Sequence, residues 1–101
     1  FYTRLWTEAN NGTVTSEGCS MDQADAYVEQ YGMEVYWNTD MSQNYAEATV
    51  DNKVLKMWLE DEESLEEKMK LIQEYDLAGV AEWKLGFQRD DVWAIISKYV
   101  Q

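Results

Sequence analysis

The residues best suited to do chemistry in this sequence stand near its C-terminal end, in the nonapeptide GVAEWKLGF at positions 79–87. Its apolar residues are typical of a buried strand, but Glu82, Trp83 and Lys84 place an acid, an indole and an amine at its end. A flat indole face suits the CH-rich side of a pyranose ring, although an indole is also a common core side chain. The stretch therefore predicts a strand end that carries either a sugar-binding tryptophan or a packed core tryptophan.

Glu82 is the acid beside this tryptophan. Neighbouring side chains of a strand point to opposite faces, so Glu82 should face away from a sugar held on Trp83. We expect Glu82 to pair with Lys84, Arg89 or a neighbouring lysine. A catalytic role would require a buried and unpaired carboxyl, because burial raises the pKa of such a group.

The composition limits what the chain can do. Eight Lys and Arg stand against twenty Asp and Glu, and the net charge of −12 argues against nucleic acid and against an anionic membrane face as partners. With no histidine and one cysteine, Cys19, the sequence excludes His-based triads and zinc held by His or thiolates, and we expect neither metal nor cofactor. No apolar run approaches the length that crosses a bilayer. The start at Phe1 rather than Met indicates a mature or excised piece.

The N-terminal part combines a strand, a loop and a helix. The stretch FYTRLW at 1–6 has the composition of a strand end, and the polar stretch 7–18 with its Asn-Asn-Gly is predicted to be a loop. Ser20 and Gln23 then form a capping box, and Gly32 provides a stop. Apolar residues recur at helical spacing between them, which predicts a short amphipathic helix.

The middle of the chain predicts a strand followed by a hairpin. Residues 33–38, MEVYWN, are rich in strand-forming side chains. The stretches 45–50 and 53–59 flank Asp51-Asn52, a two-residue connection of the kind that closes a tight hairpin. Four aromatic residues of this region either extend a carbohydrate cleft or form the core of a small sheet, namely Tyr36, Trp37, Tyr45 and Trp58.

The C-terminal part predicts a helix, a strand and a second helix. A capping box at Ser64 and Glu67 opens the first helix, and residues 77–87 form the strand. The last helix is predicted to start at Asp90 as N-cap, with Asp91 in its first turn. The residues expected to face the core are Leu65, Met69, Ile72 and Tyr75 in the first helix and Val92, Ile95, Ile96 and Tyr99 in the last.

The acidic run at 60–63, Glu-Asp-Glu-Glu, precedes the first of these two helices. Consecutive acids are favourable at the positive end of a helix, and their spacing does not match a calcium-binding loop. Together the segments predict an α+β fold in a single domain, with three helices and a small antiparallel sheet that contains a hairpin.

Two blocks of the sequence, FYTR at 1–4 and SLEEKMKLIQEYDLAGVAEWKLG at 64–86, resemble the C-terminal part of glycoside hydrolase family 18 catalytic domains. The likeness is to bacterial spore peptidoglycan N-acetylglucosaminidases and chitinases. In that family an F-Y-x-R sequence ends the seventh strand of a (β/α)₈ barrel, and an eighth strand ends in G-x-x-x-W. The resemblance implies a partial barrel with its insertion domain: a barrel strand end at 1–8, the insertion at 9–60, and the last helix, strand and helix at 61–101.

The same resemblance implies a substrate site without its catalytic acid. Trp83 falls on the tryptophan that floors the sugar pocket, and Tyr2 and Arg4 fall on residues that line the cleft. Tyr2 could bond sugar or acetamido groups and Arg4 a carboxylate, unless both belong to a ragged terminus without a fixed role. The family's signature D-x-x-D-x-D-x-E, whose Glu is the general acid, does not occur in these residues, so we assign no catalytic residue and expect the chain alone to be inactive.

Two functions follow as hypotheses. The first is the C-terminal fragment of a family 18 glycosidase acting on N-acetylglucosamine polymers, either peptidoglycan or chitin, at an extracellular or spore-associated location that the resemblance alone implies. The second is an autonomous, acidic, non-catalytic module that binds a glycan or a protein. In either case strands cut out of a barrel would leave unpaired edges, which predicts self-association.

Overall fold

The structure of the protein is a computed structural model that describes residues 1–100. Within that range the chain forms five strands and three helices, which confirms the predicted α+β class. Their bounds are β1 Tyr2–Glu8, β2 Val14–Ser20, α1 Met21–Tyr31, β3 Glu34–Asn38, β4 Gln43–Val50, β5 Lys53–Leu59, α2 Glu62–Glu74 and α3 Val92–Tyr99. No helix of this range is both long and apolar enough to cross a membrane.

The five strands form one antiparallel sheet in the order β2-β1-β5-β4-β3. The predicted hairpin of β4 and β5 is confirmed, and it closes at Asp51 and Asn52 with φ of 50° and 63°. Asp and Asn tolerate this left-handed conformation, which matches the twist of a two-residue hairpin. Because β1 lies inside the sheet, the free edges belong to β2 and β3 rather than to the predicted barrel strand.

The predicted loop over 7–18 is wrong for most of its length, since residues 7–8 complete β1 and residues 14–18 belong to β2. This strand pairs with β1 along its whole length, from Tyr2 opposite Ser20 to Glu8 opposite Val14. A tight turn at Ala9 to Thr13 joins the two strands, with Gly12 at φ 85°. The turn and the β-branched residues after it favoured a hairpin, but the polar side chains of an edge strand concealed it.

One face of the sheet packs against α1 and forms the first hydrophobic cluster. The helix has the predicted capping box of Ser20 and Gln23, and Gly32 ends it at φ 58°. Along β5, Leu55, Met57 and Leu59 are buried while the intervening side chains are not, as a half-covered strand requires. The buried members of the cluster are Leu5, Cys19, Ala24, Met33, Ala46, Leu55, Met57 and Leu59.

A second hydrophobic cluster joins α2, α3 and the start of α1. Its buried members are Met21, Leu65, Met69, Ile72 and Val92, with Ile95, Ile96 and Tyr99 partly buried against them. This confirms the predicted inner faces except for Tyr75, which is 64% exposed because the helix ends there. Met21 opens α1 yet lies in this second cluster, so the first turn of α1 joins the two clusters.

Helix α2 begins earlier than the sequence predicted. Its N-cap is Asp61, whose carboxylate accepts from the Ser64 amide at 3.0 Å, while the Ser64 hydroxyl accepts from the Asp61 amide at 3.0 Å. Ser64 is therefore the fourth residue of the capping box and not its first. This start places Glu62 and Glu63 in the first turn, where the helix dipole favours them, as predicted for the acidic run.

The last helix is also shifted by one residue from the prediction. Asp91, and not Asp90, is its N-cap, and its side chain makes no capping hydrogen bond. Instead the backbone amides of Val92 and Trp93 donate to the carbonyls of Arg89 and Asp90 at 3.3 Å each. A tight turn therefore starts the helix where the sequence predicted a side-chain cap.

The predicted strand over 77–87 does not form. The stretch is irregular, and Val80, Trp83 and Leu85 are exposed. A strand needs a neighbour for its backbone amides and carbonyls, and apolar side chains alone do not supply one. Glu82 is exposed as well and has no ion pair among the described residues, so its predicted pairing is wrong.

Candidate functional site

A row of aromatic side chains crosses the outer face of the sheet, the face turned away from α1. Tyr36, Tyr45 and Trp58 stand opposite one another on β3, β4 and β5. Their ring centroids lie 5.5 Å and 4.7 Å apart in turn, with tilted planes. Tyr36 is 51% exposed and the other two are half-buried, so these residues lie outside the core. Of the two sequence interpretations, the core of a small sheet is therefore wrong for these three residues, and the carbohydrate cleft stays a prediction.

Trp37 behaves differently from its neighbour Tyr36. Since successive side chains of a strand alternate, it points to the other side of β3. There it is partly buried beside Ile95 and the first turns of α2. Trp37 is therefore not part of the aromatic row, although the sequence grouped it with the other three.

The row lines an open groove of about 530 Å³, called here the aromatic groove. Trp6 of β1 extends it beyond β5, where it faces Lys56 across the strands and is 41% exposed. The apolar walls are Trp6, Val14, Tyr36, Tyr45 and Trp58, and the polar groups are Glu8, Asn38, Glu47 and Lys56. Flat aromatic faces next to hydrogen-bonding groups form a surface on which a sugar ring can stack and be held.

Charged groups occupy the middle of the groove. The Lys56 ammonium donates to the Glu8 carboxylate at 2.9 Å, and Glu47 stands opposite Lys56 on the next strand. The hydrogen bond to Glu8 raises the pKa of Lys56, so this side chain stays protonated. Burial, reinforced by the charge of Glu47, raises the pKa of Tyr45, so its hydroxyl stays a neutral donor. Acceptors and donors of fixed charge therefore lie beside the aromatic row.

The predicted site residues Tyr2 and Arg4 lie on the outer face of β1, in line with Trp6. The three are every second residue of one strand, so they share a face, and Tyr2 and Trp6 are about 13 Å apart. Arg4 donates to the Ser16 hydroxyl at 3.0 Å and to the Ser16 carbonyl at 3.4 Å, and not to a carboxylate. Tyr2 is 47% exposed and lies near the ring of Phe87 at 6.4 Å.

Trp83, the third predicted site residue, stands apart from that face. Its indole is 69% exposed, so it is not a core tryptophan in this structure. Its carbonyl accepts from the Phe1 amine at 2.6 Å, and its peptide bond to Lys84 is cis. Among the described residues, no hydrogen bond or ring contact joins the Trp83 side chain to Tyr2 or Arg4. The structure thus brings two of the three together.

Sequence reasoning missed Trp6, Glu8 and Lys56 as members of the site. The alternation of Tyr2, Arg4, Trp6 and Glu8 along β1 was the available signal, since a period of two puts them on one face. That signal was cut short because the predicted loop begins at Thr7 and so includes Glu8. Lys56 could be placed only by the pairing of β1 with β5, which joins distant parts of the chain.

Comparison with known proteins gives a consistent family of folds. No protein-family model matches the chain. A cortical fragment-lytic enzyme from Bacillus subtilis strain 168 is 28% identical over 87 residues, which are 85% of this chain and 20% of that protein. The chain thus spans a fifth of the curated relative.

Solved structures with the same fold cover nearly the whole chain. The spore cortex-lytic enzyme SleL from Bacillus megaterium QM B1551 matches 99% of it with a TM-score of 0.85 and 24% identity. A chitinase from Chromobacterium violaceum ATCC 12472 matches 96% of the chain with a TM-score of 0.82 and 19% identity. A glycoside hydrolase family 18 N-acetylglucosaminidase from Paenibacillus barengoltzii matches 99% of the chain with a TM-score of 0.72 and 22% identity. The matches span 24%, 30% and 32% of those chains, and they confirm the predicted resemblance at the level of the fold.

Proposed function

We propose that this chain supplies the polysaccharide-binding part of a glycoside hydrolase that acts on N-acetylglucosamine polymers. The observation that carries the proposal is the aromatic groove, in which an unbroken row from Tyr36 to Trp58 lies open on the outer face of the sheet. The net charge of −12 makes an uncharged polymer a better ligand than a polyanion.

The likeness to enzymes whose names refer to spore cortex, chitin and N-acetylglucosamine supports the choice of polymer. Peptidoglycan and chitin share β-linked N-acetylglucosamine, and we propose that the groove binds this common unit. A spore-associated or extracellular location fits such a substrate. We assign no hydrolytic step to the chain itself, because the acid that the resemblance requires is not among its residues.

Within this proposal the chain has two parts that meet at a cleft. Residues 9–60 form the insertion that raises the wall of the cleft, with the aromatic row on its surface. Residues 1–8 and 61–101 form the barrel part, in which Tyr2 and Arg4 extend the wall and Trp83 contributes the floor. Trp6 lines the aromatic groove and lies on the same face of β1 as Tyr2 and Arg4. This supports a continuous path from the groove to the barrel part.

The test is a titration of the chain with N-acetylglucosamine tetramer, followed by amide and indole chemical shifts. Trp58→Ala removes the indole at the β5 end of the row, whereas Trp37→Ala removes a tryptophan from the other side of the sheet and serves as the matched control. By analogy with nucleobase stacking on aromatic side chains, about 1–3 kcal/mol, Trp58→Ala should weaken binding about tenfold or more. Trp37→Ala should bind as the parent does.

Either of two results contradicts the proposal. One is a folded parent chain whose β4 and β5 signals do not move at saturating oligomer. The other is an equal loss of affinity in both variants, because that result would show a general effect of removing a tryptophan and not a role of the groove.

A further inference from the structure

The Glu8–Lys56 pair occupies an unusual place for an ion pair. Its two side chains are 43% and 33% exposed, and they stand on the outer face of the sheet, where Lys56 lies opposite Trp6 and two residues along β5 from Trp58. Helix α1 packs on the opposite face, so the pair covers no part of the first hydrophobic cluster. An ion pair of this exposure contributes little to folding, because solvent screens it. The stability of the fold therefore does not account for it.

The pair retains hydrogen-bonding capacity that the protein does not use. An ammonium group has three N–H donors, and Lys56 gives one of them to Glu8. A carboxylate accepts at both oxygens, and only one Glu8 oxygen is engaged in the described structure. The Lys56 nitrogen and the bonded Glu8 oxygen lie 2.9 Å apart beside aromatic faces. That spacing suits two adjacent substituents of one pyranose ring.

We propose that Glu8 and Lys56 together recognise a hexosamine ring stacked in the aromatic groove, and that they select an uncharged ring. This inference rests on the function proposed above. Glu8 accepts from a ring hydroxyl, and Lys56 donates to the neighbouring hydroxyl or acetamide oxygen. Both are charge-assisted hydrogen bonds, which are the stronger kind.

The selection against acidic sugars follows from the carboxylates around the pair. Lys56 is already neutralised by Glu8, and Glu47 lies on its other side with Glu34 opposite Glu47 on β3. A ring that carries a carboxylate and is held on the pair would meet these acids, whereas Arg4 of the same face donates to Ser16. Like-charge contact of this kind weakens the binding of an acidic sugar and leaves the binding of an uncharged sugar unaffected.

The experiment measures affinities of the chain for two tetrasaccharides by calorimetry. One is the N-acetylglucosamine tetramer, and the other is a hyaluronan tetrasaccharide, in which N-acetylglucosamine alternates with a uronate. We compare the parent with Glu8→Gln, Lys56→Met and the double variant. Lys70→Met is the control, because it breaks a pair of similar exposure with Glu67 on α2, outside the groove. Thermal unfolding of every variant establishes that it is folded.

We expect each groove variant to bind the N-acetylglucosamine tetramer about tenfold more weakly, as the loss of one hydrogen bond to a charged group predicts. The double variant should bind more weakly than either single variant, because it loses both bonds to the ring. Lys70→Met should match the parent, and hyaluronan should bind at least tenfold more weakly than the neutral tetramer. Full binding by both single variants, while Trp58→Ala loses it, overturns the inference and leaves the proposed function standing. Equal affinity for both tetrasaccharides overturns the selectivity. A folded parent that binds neither sugar overturns the proposed function as well.

Discussion

Arg89→Gln is the substitution that best tests how the two hydrophobic clusters are held together. The Arg89 side chain is 20% exposed and meets carboxylates from three elements. Its guanidinium pairs with Asp25 of α1, lies 4.0 Å from Glu62 in the first turn of α2, and lies 3.5 Å from Asp91 at the start of α3. Glutamine keeps most of the side-chain length but removes the charge.

The expected cost lies between that of a surface pair and that of a buried pair. Exposed ion pairs contribute about 0–1 kcal/mol, and loss of one partner from a buried pair costs about 3–5 kcal/mol. Arg89 is mostly covered but Asp25 is half exposed, so we expect a loss of about 2 kcal/mol in the free energy of unfolding. For a domain of this length that corresponds to a fall of about 10 °C in Tm.

The pH dependence of this loss has a definite sign. A hydrogen bond shared with Asp91 raises the pKa of Glu62, and the charge of Arg89 opposes that rise. Because the folded pKa lies above the unfolded one, protonation of Glu62 favours folding at acid pH, and this contribution is lost as pH rises through the folded value. Without Arg89 the pKa of Glu62 should rise further. The deficit of the variant should therefore be smaller at about pH 4.5 than at about pH 7.

The assay is urea unfolding of parent and variant at both pH values, followed by tryptophan fluorescence. Lys70→Gln is the control, because its pair with Glu67 is exposed on both sides and its loss should leave the urea midpoint almost unchanged. A loss for Arg89→Gln equal to that of the control would refute the reasoning. So would a deficit that grows as the pH is lowered.

Two further substitutions test the framework of the site. Met57→Ala empties a fully buried position behind the groove, so the free energy of unfolding should fall by about 3 kcal/mol, within the range for truncating a buried methionine. Thermal unfolding measures this loss, and a loss below about 1 kcal/mol would contradict the assigned core. Asp61→Ala removes the N-cap of α2 and one of two acceptors of the buried Asn44 amide, so the free energy of unfolding should fall by about 2 kcal/mol. Urea unfolding measures this loss, and an unchanged midpoint would show that the cap is dispensable.

The parts of the fold that could be predicted from the sequence are those determined by neighbours along the chain. Helix α1 follows from its capping box and from Gly32, and the β4–β5 hairpin follows from Asp51 and Asn52. In each case a few adjacent residues satisfy their own backbone groups or adopt a conformation that other side chains resist. Local chemistry of this kind needs no knowledge of the rest of the molecule.

The parts that could not be predicted depend on pairing between distant segments. Strand β2 has polar side chains and is a strand because β1 lies beside it. The groove exists because the register of β1 against β5 sets Trp6 opposite Lys56, 50 positions further along the chain. The stretch 77–87 shows the converse, since its strand-like composition finds no neighbouring strand to complete it. Tyr2 and Arg4 share one face of β1, and their role in binding substrate stays a prediction of the resemblance.

Two groups of exposed apolar residues on this chain differ in what surrounds them, and that difference indicates what each is for. The rings of the aromatic groove stand beside charged and amide groups that can hold a polar ligand. Leu77 and Val80 are exposed among mainly apolar side chains, next to Leu71 of α2. A surface of this second kind suits protein packing better than a sugar.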